Sequence, residues 1–426
     1  MGRTRSGATR VVLGTLLAGL AAGVIGGLLS QLNILIETLT LGVHFSVTTT
    51  GVGTVPLWRR LAAPVLGGLV SGLAWSWLRR RRVVTVADAL DRTDPRRLSL
   101  GDQVVDAGAQ LLVVGSGTSL GRETAPRQIA AVAGQRVAEL LDADVELRRT
   151  LIAAASGAGL AAVYNVPAAG ALYALELTVR PDLRRRSGWV QVGVAAVVSA
   201  LATVVAWLVN HDEPTYRLPP VDAGGWGLWG AAAAVALACL AVGPAVALAF
   251  GRLKKSSSAP RRLWWTVPLG SAVVTLIALV VPQVPGNGQV VVNALVAMPL
   301  GWQLVTTLGV AKLVATCCAL RSGAAGGLLT PSLAVGGSLG ALVGIGLGTR
   351  SPAELVVLVV AGAACLLSMT QRAPLFSAAF ALELTRPAAP VWLLVAAAVA
   401  LTWAGWTLLS HESVRRGGVG RAPRRH

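Results

Sequence analysis

Gly115-Ser-Gly-Thr-Ser-Leu-Gly121-Arg122-Glu123-Thr124-Ala125-Pro126 decides the reading of this chain, because a related stretch returns later as Gly326-Gly327-Leu328-Leu329-Thr330-Pro331. A second pair accompanies it. Asn165-Val166-Pro167, leading into Ala174-Leu175-Glu176-Leu177-Thr178, is echoed by Arg372-Ala373-Pro374, leading into Ala381-Leu382-Glu383-Leu384-Thr385. Pro126 and Pro331, Pro167 and Pro374, and Glu176 and Glu383 lie 205, 207 and 207 residues apart. An apolar chain that repeats once, with Gly/Pro breaks at equivalent places, is the mark of a membrane transport protein built from two related halves. The breaks matter because they put helix ends, with their partial charges, at membrane depth where an ion can use them.

Composition agrees with a membrane protein. The chain is 54% hydrophobic and only 13% charged, with a mean hydropathy of +0.66; soluble domains carry roughly a quarter charged residues. Apolar stretches run through 11–36, 61–78, 151–175, 189–209, 225–250, 264–281, 301–320, 355–369 and 389–410. Several reach the ~20 residues that span a bilayer; the shorter ones fit tilted or half-spanning helices. Strand-like alternation is absent, so the expected fold is all-α. The net charge of +18 does not point to nucleic acid, because the basic residues sit in short loops between apolar spans, at Arg79 to Arg82, Arg184 to Arg186, Arg252 to Arg262 and Arg415 to Arg425. That is the positive-inside pattern. The linker from Asn210 to Gly224 carries Asp212, Glu213 and Asp222 against one Arg217 and reads as external, as does the uncharged Val281 to Gln289. Both termini then lie in the cytoplasm. The expected organisation is a first half over 1–210, an external linker over 211–225, a second half over 226–412 and a short basic tail over 413–426, with no room for a soluble C-terminal domain.

Around Glu123 the Gly and Ser/Thr cluster loosens the backbone, and a helix begins near Glu123 to Pro126. Free N–H groups at such a start make an anion site. Glu123, on the same turn, is itself an anion and competes for that site. A dinucleotide fingerprint fails here, because no βαβ pattern surrounds the glycines. Gly323 to Pro331 breaks and restarts a helix in the same way, so two N-termini from opposite halves can converge on one anion. Cys239, Cys317, Cys318 and Cys365 lie in apolar runs as small buried hydrophobes. The four histidines are scattered, so no metal site, and no cofactor, is expected. No Ser/His/Asp set or paired carboxylate supports an enzyme.

Together with Ala311-Lys312-Leu-Val-Ala-Thr316 and Gly159-Leu-Ala-Ala-Val-Tyr-Asn165-Val-Pro167, these motifs resemble the CLC chloride channel and transporter family over about residues 10–412. The resemblance implies an inverted-topology repeat with tilted and broken helices, a homodimer with one ion pathway per subunit, and a location in the plasma membrane. It implies that Glu123 is the external gate. The anion would be held by backbone amides of Arg122, Glu123, Thr124 and Ala125 and of Gly327, Leu328, Leu329 and Thr330.

The departures from the family pattern carry information. Glu123 is followed by Thr124-Ala125 where the family has Gly-Pro, and Leu329 stands for the family's Phe. The Gly-Ser-Gly-Ile-Pro segment is replaced by Arg80-Arg-Arg-Val-Val-Thr-Val-Ala-Asp88, with Thr85 the nearest hydroxyl, and the C-terminal anion-contacting tyrosine has no match. The second of two adjacent acids that relays protons in exchangers is Leu177. That favours a passive channel, with proton-coupled exchange of chloride or fluoride, or a non-conducting structural or sensory relative, as alternatives. Glu176 and Glu383 repeat each other and read as structural acids at helix ends, with ion or proton handling as the rival. Lys312 reads as a snorkelling or paired lysine, with a place on the anion route as the rival. Glu37 reads as an acid near an interface.

Overall fold

The computed structural model describes residues 7–81, 83–91, 95–219, 225–297, 300–349 and 351–417, with side chains up to 410. Residues 220–224 of the expected linker, Arg82 and most of the expected basic tail lie outside the described residues. The architecture is all-α. In the first half come α1 (Gly7–Thr40), α2 (Leu57–Leu78), the single turn α3 (Val86–Ala89), α4 (Leu100–Gly115), α5 (Thr124–Leu140), α6 (Val145–Tyr164), α7 (Pro167–Leu172) with a wide π-helical continuation (Tyr173–Val179), and α8 (Arg186–Asn210). After the linker come α9 (Trp226–Lys255), α10 (Leu263–Val280), α11 (Gln289–Ala297), α12 (Trp302–Ser322), α13 (Leu329–Gly346), α14 (Pro352–Gln371), α15 (Pro374–Thr385) and α16 (Ala389–Gly417). Among the described residues, nine helices are long and apolar enough to cross a membrane.

The repeated motifs produce repeated backbone. Both α6 and α14 end on a left-handed residue, Asn165 at φ 58° and Arg372 at φ 55°. Each is followed by an extended residue, Val166 or Ala373, and then by a proline at the first position of the next helix. Proline forces its predecessor out of the helical region and is itself preorganised for a helix start. The chain therefore turns sharply at the same place in each half. Close packing repeats as well. A Cβ at Gly159 would lie 2.5 Å from the Pro126 carbonyl oxygen between α5 and α6, and one at Gly362 would overlap that of Gly336 between α13 and α14. Small residues let backbones approach where lipid offers no hydrophobic drive for association.

Two contacts are unchanged when the halves are exchanged. Glu176, in the π-helical segment, accepts from the Leu375 and Phe376 N–H groups at the start of α15, at 3.3 and 2.7 Å. Glu383, in α15, accepts from the Ala168 and Ala169 N–H groups at the start of α7, at 2.9 and 2.7 Å. The second is a pair of bonds between Gly121 and Gly327, N–H to O at 2.8 and 2.6 Å, which forms an isolated antiparallel bridge.

The segment from Val281 to Gln289, read as external, is largely packed into the protein. Residues 284–290 are buried. The Pro282 carbonyl accepts from Val52 N–H and Gly286 N–H donates to Gly117, while the Val284 and Gly286 carbonyls take the Lys312 ammonium. A charge-free loop can be drawn inward in this way because an interior cation satisfies its carbonyls.

Candidate functional site

Glu123 sits at the N-cap of α5 and is 0% exposed. Its Oε1 accepts from the Thr330 N–H at 2.7 Å and from the Thr330 hydroxyl at 2.6 Å. Thr330 lies in the first turn of α13, whose N–H groups have no intrahelical acceptor. One carboxylate thus closes the gap between the starts of α5 and α13, where the positive ends of two helices face it. The local sequence makes the room. A Cβ on Gly121 or on Gly327 would overlap the Glu123 carboxylate, and at both positions the three nearest atoms all belong to Glu123. Glu123 Oε2 has no hydrogen-bond partner among the described residues.

Most of the amides implied by the resemblance line this gap. Arg122 to Ala125 surround the start of α5, and Leu328, Leu329 and Thr330 form the start of α13. Gly327 differs, because its N–H is spent on the Gly121 carbonyl. In this conformation it ties the two halves together and has no donor left for an anion. Hydroxyl pairs reinforce the tie, Ser119 with Thr316 at 3.1 Å and Thr118 with Ser271 at 2.7 Å.

Lys312 is 0% exposed, and its ammonium donates to the Val284 and Gly286 carbonyls at 2.9 and 2.7 Å. It does not snorkel. It is paired with carbonyls, and Glu123 is its electrostatic neighbour. Glu176 and Glu383 lie away from the gap, each on a helix start. Thr85 caps α3 in a reciprocal box with Asp88, so the hydroxyl nearest the missing serine is committed locally.

Glu37, read as an acid near an interface, is held by protein groups. It is 3% exposed and lies inside the protein, with its carboxylate taking the Asn33 side-chain amide at 2.6 Å and Phe45 N–H at 3.1 Å. Its Oε1 stands 3.8 Å from Arg122 Nη1. A buried arginine beside the gap attracts an acid from α1 because a lone charge at this depth is expensive.

Sequence reasoning passed over three further groups. Tyr164 and Tyr216 are buried, and their hydroxyls have no partner among the described residues. Arg122 lies 5.5 Å from the Tyr164 ring, and Arg122 and Asn287 are the polar side chains facing that hydroxyl. The chain holds only three tyrosines, so each polar-tipped ring was a signal open to notice. Arg122 and Tyr164 also line a cavity of about 600 Å³ with His211, Glu213 and Arg217 of the linker. The third group is Arg127, one turn along α5, whose Nε donates to the Glu123 carbonyl at 2.9 Å.

The fold and this site define a polytopic membrane protein in which two broken helices from related halves point their N-termini at one buried acid. The family model described as voltage gated chloride channel matches residues 67–405. The chain is 32% identical over 394 residues to the voltage-gated ClC-type chloride channel ClcB of Salmonella typhimurium, covering 88% of this chain and 91% of the relative. It is 31% identical over 392 residues to the ClcB protein of Escherichia coli, covering 88% and 90%. Among solved structures, a slow cyanobacterial Cl⁻/H⁺ antiporter superposes with a TM-score of 0.78 at 18% identity, over 94% of this chain and 95% of that one. A CLC-type fluoride/proton antiporter superposes with a TM-score of 0.71 at 18% identity, over 93% and 96%. The chain belongs to the CLC, or voltage-gated chloride channel, family of anion-transporting membrane proteins.

Proposed function

We propose that this protein moves chloride or a similar small anion across the plasma membrane, through a passage gated by Glu123, as a passive channel. The observation that carries the reading is the Glu123 carboxylate held by Thr330 between two helix starts. A carboxylate there occupies the place an anion would take, so protonation or displacement of Glu123 opens the place to the permeating ion. The amides of Arg122, Thr124, Ala125, Leu328 and Leu329 are its ligands. We place residues 1–210 and 226–412 as oppositely oriented halves around the linker 211–225, both termini in the cytoplasm, and two subunits in the working protein.

The passive assignment rests on the internal side. Leu177 cannot bind a proton, and Glu176 is occupied with the start of α15. The second reading is anion/proton antiport of chloride or fluoride. It is favoured by the solved structures the chain resembles, which are described as antiporters. The test is chloride flux from liposomes with simultaneous pH recording. A chloride gradient should discharge without moving protons. Sustained uphill proton uptake near zero voltage, abolished by Glu123→Ala, would make antiport the correct reading.

A further inference from the structure

Arg180 and Arg386 occupy matching places in the two halves, and the fold treats them differently. Each ends a helix in the left-handed region, at φ 51° and 43°, and each precedes a proline, Pro181 or Pro387. Thr178 and Thr385 lie 207 residues apart but Arg180 and Arg386 only 206, because the first half carries one extra residue, Val179. The π-helical turn absorbs it through bonds that reach five residues back, such as Arg180 N–H to the Leu175 carbonyl at 2.9 Å. Arg386 meets an acid, Asp212 of the linker, at 2.5 Å. Arg180 does not. Its Nε donates to the Glu176 carbonyl at 3.4 Å, and among the described residues no carboxylate comes within ion-pair distance of it. A guanidinium carries five N–H donors, and that one long bond leaves the rest for a ligand.

Arg180 lines a cavity of about 510 Å³ shared with the starts of α6 and α8. Arg149 of α6 and Arg185, at the N-cap of α8, line it too. Arg149 is anchored by its Nε on the Leu90 carbonyl at 2.8 Å. The two acids on the wall are already engaged. Asp182 pairs with Arg185 at 3.4 Å and accepts from the Arg184 N–H at 3.1 Å. Glu146 accepts from the Gln191 amide at 3.3 Å and sits in the first turn of α6, at its positive end. Three arginines against two engaged acids leave the cavity positive, with exposed Arg184 and Arg186 beside it. A water takes about 30 Å³, so the space suits a polyatomic group rather than a lone halide. Next to it the surface is apolar. Trp189 and Leu183 are 61% and 51% exposed, and the indole N–H donates to the Leu183 carbonyl at 3.1 Å. Because α8 is long and apolar enough to cross a membrane, Trp189 in its first turn stands where tryptophans meet lipid headgroups.

We propose that this cavity binds the phosphate of an anionic glycerophospholipid, with Arg180, Arg149 and Arg185 on the phosphate oxygens and Trp189 and Leu183 against the glycerol and the first acyl carbons. A guanidinium fork matches phosphate oxygens two at a time, as an ammonium cannot. The site lies on the side that the basic loops mark as cytoplasmic, where a leaflet rich in anionic lipid attracts juxtamembrane arginines. The phosphate plays at Arg180 the part that Asp212 plays at Arg386, and it ties the end of the π-helical segment to the starts of α6 and α8. This site stands whether or not the passage conducts.

The test titrates the detergent-solubilised full chain with dioctanoyl phosphatidylglycerol, and with dioctanoyl phosphatidylcholine as the zwitterionic control, and reads binding by thermophoresis. The anionic lipid should bind saturably and more tightly than the control. Arg180→Gln should weaken its binding about fivefold, the worth of one basic residue at a membrane surface, and Arg180→Gln combined with Arg185→Gln about tenfold or more. Arg261→Gln, an exposed change in another loop, should leave it unaltered. Equal affinity for the two lipids overturns the site, as does an unaltered affinity in the double variant. A loss in Arg261→Gln as large as that in Arg180→Gln also overturns it, because binding would then follow overall charge. Inorganic phosphate forms the third arm and should displace the lipid only at large excess; displacement at equal concentration would assign the cavity to a free phosphate compound and overturn the lipid. If the double variant does not elute as a folded species, Arg180→Gln decides alone, because Arg180 is exposed and its side chain makes one long hydrogen bond.

Discussion

At the residue scale, Glu123 and the two glycines beside it behave as one unit. Glu123→Gln mimics the protonated acid and no longer competes as an anion, so chloride flux should lose its activation by acidic external pH. An unchanged pH profile in liposomes rules Glu123 out as the gate. Gly327 tests the same geometry from the other side. Its missing Cβ would overlap only Glu123 atoms, so Gly327→Ala should expel the carboxylate and weaken the closed state. In a Glu123→Ala background the same change should have little further effect, a non-additivity expected of residues in contact. Equal effects in both backgrounds would show that Gly327 serves the backbone alone. The Arg122–Glu37 pair makes a third case. Glu37→Ala strands a buried arginine, and loss of one partner of a buried pair costs about 3 kcal/mol or more, readable as a drop in Tm in detergent.

At the element scale, the exchanged caps decide how the halves are held. Glu176 and Glu383 each place a negative charge on the first amides of the partner half's short helix. Losing such a cap costs about 1 kcal/mol, with the helix dipole adding up to a similar amount. Glu176→Gln and Glu383→Gln should each lower Tm modestly and by similar amounts, and leave anion selectivity unchanged. A selective change in proton movement from Glu176→Gln alone would turn that residue from a cap into a relay.

At the scale of the whole molecule, the linker carries a titratable contact of its own. Asp212 hydrogen-bonds Arg386, beyond the end of α15, and the Asn165 amide, at 2.5 and 2.9 Å. The hydrogen bond from Arg386, then that from Asn165, holds its carboxyl below the usual carboxylate range. A depressed acid stabilises the fold above its unfolded pKa, near 4, and loses that contribution as pH falls through the lower folded value. The linker clasp is therefore constant between pH 5 and 8. Asp212→Asn should leave the flux profile over that window unchanged, with the response following Glu123. A shifted profile in Asp212→Asn would show that the linker shares in gating.

The sequence by itself determined the membrane class, the repeat, the family and the position of Glu123. Those signals are local: apolar runs, proline after a left-handed cap, glycines before a helix start. Proline and glycine act on the backbone through their own sterics, so their consequences can be read without the rest of the fold. The tertiary structure alone decided who faces whom. Glu37 was read as an interfacial acid, and only the packing of α1 on the start of α5 brings it to Arg122, 85 positions away in sequence. Nothing in the composition of Val281 to Gln289 told that its carbonyls would receive Lys312. The tyrosines could be counted in the sequence, but that the hydroxyls of Tyr164 and Tyr216 lack a partner among the described residues shows only in the packing. Whether a buried polar group is satisfied depends on every element around it, and that is a property of the assembled fold.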